Sequence, residues 1–568
     1  MKGKVASEGM AFAVAYPIRE PEIKIEKKKT DDPQGELERF ENARAYCADR
    51  LEQLISDAER RQNQDAGDIL EFQLLFLEDT DYLGKIEKRI LQEGWNSEYA
   101  VSEVLQGYRR YLSGLTDNPY LQERAVDVDD LARRLLYRLM GIDDALQEPE
   151  EPYIAVAEDL SPSQVMAMDV QKLKGIVLEK GSLTAHAVII AKSRGIPCLI
   201  GVGGAMAELP AGKPVLLDCF ESTVLPNPDE KKLSVYRRYS EVQAEERKLL
   251  KTYQNRETQT RDGYRMKVYA NIASWQEASE LVRQGGEGVG LFRTELLYIK
   301  ETSAPPSEDV QYDVYRQTAE NLAGRPLIIR TLDAGGDKQV PYLGMPPETN
   351  PFLGYRAIRF CLEHPTLFSA QLSAILRASA HGPISIMFPM ICAQEELVVA
   401  RRILEETKER LHAQGFAFDS QIPVGMMVET PAAAMDASRF AKLVDFFSIG
   451  TNDLSQYLFA ADRSNDKVSG LNSYFQPCLL RCIRQIADSA HAAGIEVDIC
   501  GQAGEVLELV PLWIGMGIDS LSVSIPMIPK VRHIICEANK ADCERLLSQV
   551  LDLDTRADVQ KALEAGTI

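Results

Sequence analysis

The chain has 568 residues, room for about three to four domains at roughly 150 residues each, or fewer if one is a large barrel. It is 45% hydrophobic and 26% charged, with 64 Lys plus Arg against 85 Asp plus Glu and a formal net charge of −21. That balance argues against a nucleic-acid binder, which advertises itself with a basic surface, and against docking on an anionic membrane. No apolar run approaches the roughly 18 residues of a membrane span, and the N-terminal MKGKVASEGMAFAVAYPIREPE lacks the apolar centre of a signal peptide. Ten scattered cysteines without a CxxC pair make no disulfide framework, so a reducing cytoplasm is the expected compartment.

The negative charge is concentrated. Residues 31–150 hold 28 acids and 14 bases, a net of −14, so about a fifth of the chain carries two thirds of the charge. A well-solvated helical surface is the ordinary account of such a run, and an acidic docking face for a basic partner is the other.

In chain order, residues 1–22 carry a short strand, AFAVAY, ahead of a proline-containing break. From Asp31 to about Met140 apolar residues recur three and four apart, as in ELERFENARAYCADRLEQLISDAERR, and predict a unit of about four helices. The polar, proline-bearing LMGIDDALQEPEEP ends it. Residues 153–226 then alternate helices with the strand-like YIAVAE, KGIVLE, PCLIGVG and PVLLDC. So short an α/β domain is expected to recruit the N-terminal strand, which makes the helical unit an insertion. Its expected bounds are 1–30 with 147–228, around a helical unit of 31–146, and a long charged helix at 229–259 follows.

Past residue 260 the rhythm changes. The runs KVYANI, VGLFRTE, PLIIRTLD, ISIMFPM, VGMMVET, FFSIGTND, VDIC and LSVS make eight candidate strands with helical stretches between several of them. Buried parallel strands read as near-continuous apolar runs, and eight β/α units point to a (β/α)₈ barrel over residues 260–568. The expected fold class is therefore α/β multidomain.

Barrels of this kind place chemistry at the C-terminal ends of their strands. Here those ends carry Asn271, Arg293 with Glu295, Arg330 with Asp333, Glu429, Asn452 with Asp453, and Cys500. Glu429 and Asp453 are oxygen ligands suited to Mg²⁺, which bridges one or two carboxylates to a phosphorylated substrate; the set accepts Mn²⁺ as well. Arg293, Arg330, Arg356 and Arg463 can fork onto phosphate and carboxylate oxygens, and Asn452 offers a neutral donor. The expected ligand is small and anionic, carrying phosphate and a carboxylate, and the local field must reverse the repulsion of the acidic chain.

A second site lies in EKGSLTAHAVIIAKSRGIPCLIG. Gly181 marks a turn after a strand, and the pattern places His186 in the first turn of a helix, where free N–H groups and the dipole favour an anion. An imidazole nitrogen is a usable nucleophile near neutral pH. The other five histidines (His364, His381, His412, His491 and His533) all lie in the barrel half.

Together these segments resemble enzyme I of the bacterial phosphotransferase system nearly end to end. The resemblance is carried by NPYLQERAVDVDDLARRLL, the segment around His186, GVGLFRTE, IIRTLDAGGDK, NPFLGYRAIR, IMFPMI, VGMMVETPAAA, DFFSIGTNDLSQY and AADRSND. It implies that His186 takes the phosphoryl group of phosphoenolpyruvate and that Cys500 protonates the enolate. Mg²⁺ would sit on Glu429 and Asp453, while Arg293, Arg330, Lys338, Arg356, Asn452, Asp453 and Arg463 hold the substrate. The phosphoryl group would pass to an HPr-type phosphocarrier docked on the helical unit, and the enzyme would work as a homodimer through its barrel. On that reading the acidic charge of residues 31–150 becomes a docking face more than a solubility device.

The chain departs from the family pattern in three places. Lys180-Gly181 and Thr184-Ala185-His186 stand where the family runs Gly-Gly-x-Thr-Ser-His. CGQAGEV replaces Cys-Gly-Glu-x-Ala-Gly-Asp, so Gln502 removes a carboxylate that could tune or relay the proton of Cys500; lowered rather than absent turnover is expected from a thiol of pKa about 8.5. Phe72-Gln73 stand where the family often has a histidine pair. The alternative these departures suggest is a weakened or regulatory paralogue serving a variant phosphocarrier.

Overall fold

The computed structural model describes residues 1–568 apart from 20, 22, 61–69, 71, 72, 75, 114–118, 143–147, 162, 163, 166, 167, 170, 182–187, 189, 190, 193, 194, 301–303, 337, 339, 347, 464, 466 and 566–568. The chain divides into two compact units, Met1–Ala244 and Glu245–Ile568. The division falls inside a helix, Glu230–Tyr253.

The first unit is built on a sheet of seven strands: β1 (Lys4–Ser7), β2 (Met10–Ile18), β3 (Tyr153–Ala157), β4 (Leu173–Leu178), β5 (Cys198–Ile200), β6 (Pro214–Asp218) and β7 (Thr223–Pro226). Their spatial order is β1-β5-β4-β3-β2-β6-β7. The N-terminal strand is thus central. It pairs parallel to β3, Val14 opposite Tyr153, and antiparallel to β6, Met10 opposite Asp218. Everything between Ile18 and Tyr153 is inserted in the loop between two adjacent strands, as the short α/β segment predicted.

Burial explains why β3 reads as an unbroken apolar run. Tyr153, Ala155 and Ala157 face one core with helical residues Phe40, Leu51, Ile86 and Leu135, while Ile154 and Val156 face a second core with Leu199, Val215 and Leu217. A strand covered on both faces has no side to make polar. Among the described residues the insertion includes the helices Pro33–Arg60, Thr80–Leu91, Ser97–Ser113 and Pro119–Leu139. Their i, i+3, i+4 apolar stripes meet in the shared core, where each fully buried Leu or Ile contributes roughly 1.5–3 kcal/mol. Asp79 caps the second helix by accepting the Asp81 N–H.

The second unit is a closed barrel of eight parallel strands: β8 (Lys267–Ile272), β9 (Val289–Arg293), β10 (Leu327–Arg330), β11 (Ile384–Phe388), β12 (Val424–Val428), β13 (Phe446–Ile449), β14 (Glu496–Ile499) and β15 (Ser520–Val523). Each coincides with one of the apolar runs read from the sequence. Helices return the chain between strands, and their starts follow local chemistry: Ser274 and Glu277 form a capping box, and Pro431 and Pro477 occupy first helical turns. Among the described residues no helix is long and apolar enough to cross a membrane.

Candidate active site

The barrel gathers its charged residues at one mouth because each follows the end of a strand. Arg330 closes β10, Glu429 follows β12, Asp453 sits in the helix Thr451–Leu458 after β13, and Cys500 follows β14. Glu295 opens the short helix after β9. Loop residues complete the set.

Within it, cations and carboxylates interlock. Arg330 binds Glu295 at 2.7 Å and Asp333 at 3.2 Å, and Lys338 bridges the same two acids at 2.9 and 2.8 Å. Arg356, wholly buried, binds Asp333 at 2.9 Å and lies 3.6 Å from Asp453, which Arg463 approaches at 3.4 Å. Burial alone would raise the acid pKa values, but the charges on Arg330 and Lys338 hold Glu295 down to about 2. Lys338, Arg330 and Arg356 likewise hold Asp333 far below the usual carboxylate range, against its burial.

Glu429 differs. Burial first, then the charges of Asp453 and Asp333, push it up to about 8, against the opposing pull of Arg330 and Arg356. One oxygen accepts the Met390 N–H at 2.6 Å, from a residue held at φ 59°. Strained non-glycine backbone of this kind clusters where the surroundings over-determine it. Gly450 shows the same tightness: a Cβ there would stand 2.8 Å from Glu429 Oε2 and 2.9 Å from Glu429 Cβ.

Several buried polar atoms at this mouth lack a hydrogen-bond partner among the described residues, namely Glu295 Oε2, Arg330 Nε, Arg356 Nε and Asp453 Oδ1. An unmet buried group costs about 1–3 kcal/mol, a cost that a ligand can relieve. Among the described residues no cluster of three or more His, Cys, Asp or Glu is arranged to hold a metal. Two repelling carboxylates, Glu429 and Asp453, nonetheless fit a hard divalent cation whose remaining ligands come from phosphate and water.

Of the other expected residues, Arg293 stands exposed at the end of β9 without an ion-pair partner among the described residues. Asn452 Oδ1 accepts the Gln502 N–H at 2.9 Å and lies 2.9 Å from the Tyr474 hydroxyl, so its NH₂ group is left to donate. Gln502 itself is exposed and lies 3.2 Å from the same hydroxyl. Beside the charges, a cavity of about 500 Å³ is lined by Phe352, Met390, Thr430 and Tyr457.

Cys500 is not the ordinary thiol expected from sequence. It is buried against Leu291, Met387 and Met427, and burial, then the nearby Asp498, push it up to about 12. The lack of solvent on the inner face of β14 is the reason, and a four-residue strand read as an apolar run does not reveal it. His186 lies outside the described residues, as does Phe72. Nearby Lys180 is exposed and pairs with Glu158, and Gly181 takes φ +104° in the expected turn. Gln73 is buried and donates to Asp130 at 3.0 Å. Sequence reasoning missed Met390, Tyr457 and Tyr474, whose types give no hint of a site. It also missed Asp498, although a carboxylate inside an apolar strand was the available signal.

A closed barrel that ends its strands on such a charge cluster suits a small ligand carrying phosphate and carboxylate, and the class of protein is that of the phosphoenolpyruvate-using enzymes. Three families described as PEP-utilising enzyme match accordingly: the N-terminal domain at residues 2–124, the mobile domain at 149–222 and the PEP-binding domain at 247–540. The chain is 38% identical to the phosphoenolpyruvate-protein phosphotransferase of Bacillus subtilis (strain 168) over 98% of both chains. It is 39% identical to that of Geobacillus stearothermophilus, over 98% of this chain and 96% of the other. The Staphylococcus carnosus protein is 35% identical, over 100% and 99%. The chain belongs to the phosphoenolpyruvate-protein phosphotransferase family.

Proposed function

We propose that the protein transfers the phosphoryl group of phosphoenolpyruvate to its own His186 and then to a histidine of an HPr-type phosphocarrier, releasing pyruvate as the first step of a sugar phosphotransferase system. The observation that carries the reading is the barrel mouth, where Arg330, Lys338, Arg356 and Arg463 meet Glu295, Asp333, Glu429 and Asp453. Because the acids largely match the cations, the arginines alone do not reverse the field for an anionic substrate. Glu429 and Asp453 would hold Mg²⁺, which when bound would supply the missing positive charge and spread the charge of the phosphoryl oxygens.

In this reading Arg293, Arg330, Lys338, Arg356 and Arg463 orient phosphate and carboxylate, and the Asn452 amide donates to the substrate. The P–O bond to the enolate breaks as the N–P bond to His186 forms, in line. Cys500 then gives its proton to the methylene carbon, making pyruvate. A raised thiol pKa suits that role, since the group stays protonated at neutral pH until a strongly basic enolate meets it. The barrel serves as the homodimer interface and the helical unit receives the carrier; both assignments rest on family membership.

The purified chain, given phosphoenolpyruvate, Mg²⁺ and a histidine phosphocarrier, should release one pyruvate for each carrier phosphorylated. Pyruvate formation without carrier phosphorylation, or neither, would contradict the proposal.

A further inference from the structure

Beneath Cys500 the barrel holds a carboxylate that the reaction above does not use. Asp498 and Cys500 are two residues apart along β14 and its end, so both point to the barrel interior. Register places Ser448 of β13 and Ser520 of β15 directly opposite Asp498. The Ser448 hydroxyl lies 3.0 Å from one Asp498 oxygen, Ser520 is 3.0 Å from the other, and Ser522 is 3.1 Å from both. Asp498 is only 4% exposed, and no Lys or Arg among the described residues pairs with it. The Cys500 thiol donates to the Ile449 carbonyl at 3.7 Å, one residue on from Ser448, and the Ser448 hydroxyl acts on the same thiol from the Asp498 side, lowering its pKa against the effect of burial.

We propose that Asp498 is a positioning residue that relays a proton to Cys500 through the Ser448 hydroxyl, supplying from below the strand the carboxyl function absent at Gln502. The inference rests on the reading of Cys500 as the acid that protonates the enolate. As the Cys500 S–H bond breaks and the C–H bond of pyruvate forms, Ser448 gives its proton to sulfur. Asp498 gives its own to the Ser448 oxygen. The resulting carboxylate keeps hydrogen bonds from Ser520 and Ser522, and recovers a proton from water between turnovers. Burial supports the starting state: it pushes Asp498 up to about 7 against the three serine hydrogen bonds, with Asp519 adding to the rise. An unburied aspartate would be ionised throughout the neutral range and have no proton to relay. Arg330 and Glu429 act on the thiol from the mouth side and oppose each other there.

The test compares Asp498→Asn, Ser448→Ala and Cys500→Ala in full-length protein, reading pyruvate release in H₂O and D₂O. Asp498→Asn should lower turnover about tenfold, at the low end of what proton transfer contributes, with the phosphoenolpyruvate KM unchanged and a larger solvent isotope effect. Ser448→Ala leaves the carboxyl in place and should show the same signature, which keeps the test informative should the Asp498 variant melt early. Wild-type rates and isotope effects in both, with Cys500→Ala inactive, would overturn the relay while sparing Cys500 as the acid. Turnover lost without any change in isotope effect would mark a structural role and overturn it too. Full pyruvate release by Cys500→Ala would instead sink the reading of Cys500 and the relay with it.

Discussion

Glu429 is held in conflict with its surroundings: it is buried, Asp453 and Asp333 repel its charge, and the strained Met390 peptide grips one oxygen. Its folded pKa, about 8, lies above the roughly 4.3 of an unfolded glutamate. The contribution of this group to stability is therefore full below about pH 4 and is lost as pH rises through about 8. Glu429→Gln removes that loss. In EDTA the variant should melt a few degrees above wild type at pH 8.5, the difference closing toward pH 4.5, as calorimetry would record. The same variant should lose the rise in melting temperature that Mg²⁺ gives wild type, and at least a hundredfold in turnover. A wild-type Mg²⁺ response would remove Glu429 from the cation site. Charged residues at strand ends made this residue legible in the sequence, because apolar barrel strands have little reason to finish on acids. Asp498 was not legible as part of a site: the alternation that aims it inward depends on knowing where β14 begins.

At the scale of elements, the turn from β13 into the helix Thr451–Leu458 governs the mouth. Gly450 is the only residue that fits it, since any Cβ meets Glu429 and the Met427 sulfur, at 2.8 to 3.0 Å. Gly450→Ala should cost about 1–3 kcal/mol as overpacking and raise the Mg²⁺ concentration needed for half-maximal turnover about tenfold. Urea unfolding and Mg²⁺ titration together check both; unchanged Mg²⁺ dependence would mean the turn does not set Glu429. All eight barrel strands were readable because burial on both faces leaves long apolar runs. The edge strands β1 and β7 were not, for each has four residues and one partner to shape its pattern. The inserted position of the helices was readable from economy, since 75 residues or so of α/β rhythm are too few to close a core alone.

At the scale of the whole molecule, the predicted acceptor His186 and the barrel mouth belong to different compact units, with the unit boundary inside the charged helix Glu230–Tyr253. On the proposed function the phosphoryl group passes from the barrel unit to the other. The acidic surplus of residues 31–150 fits the carrier step better than the substrate step, because phosphoenolpyruvate is repelled by it and a basic protein is attracted. Replacing four exposed acids of the helices with their amides should slow carrier phosphorylation about tenfold at low salt, with the effect fading above the screening range. Phosphorylation of the enzyme itself should be untouched. Equal slowing of both steps would return the charge to solubility alone.

The central claim, that one histidine outside the barrel receives the phosphoryl group bound within it, is tested most directly by isotope transfer. With ³²P-labelled phosphoenolpyruvate, Mg²⁺ and no carrier, label should appear as acid-labile phosphohistidine at His186, one per chain, and His186→Ala should take up none. Label on another residue, or undiminished labelling of His186→Ala, would contradict the account.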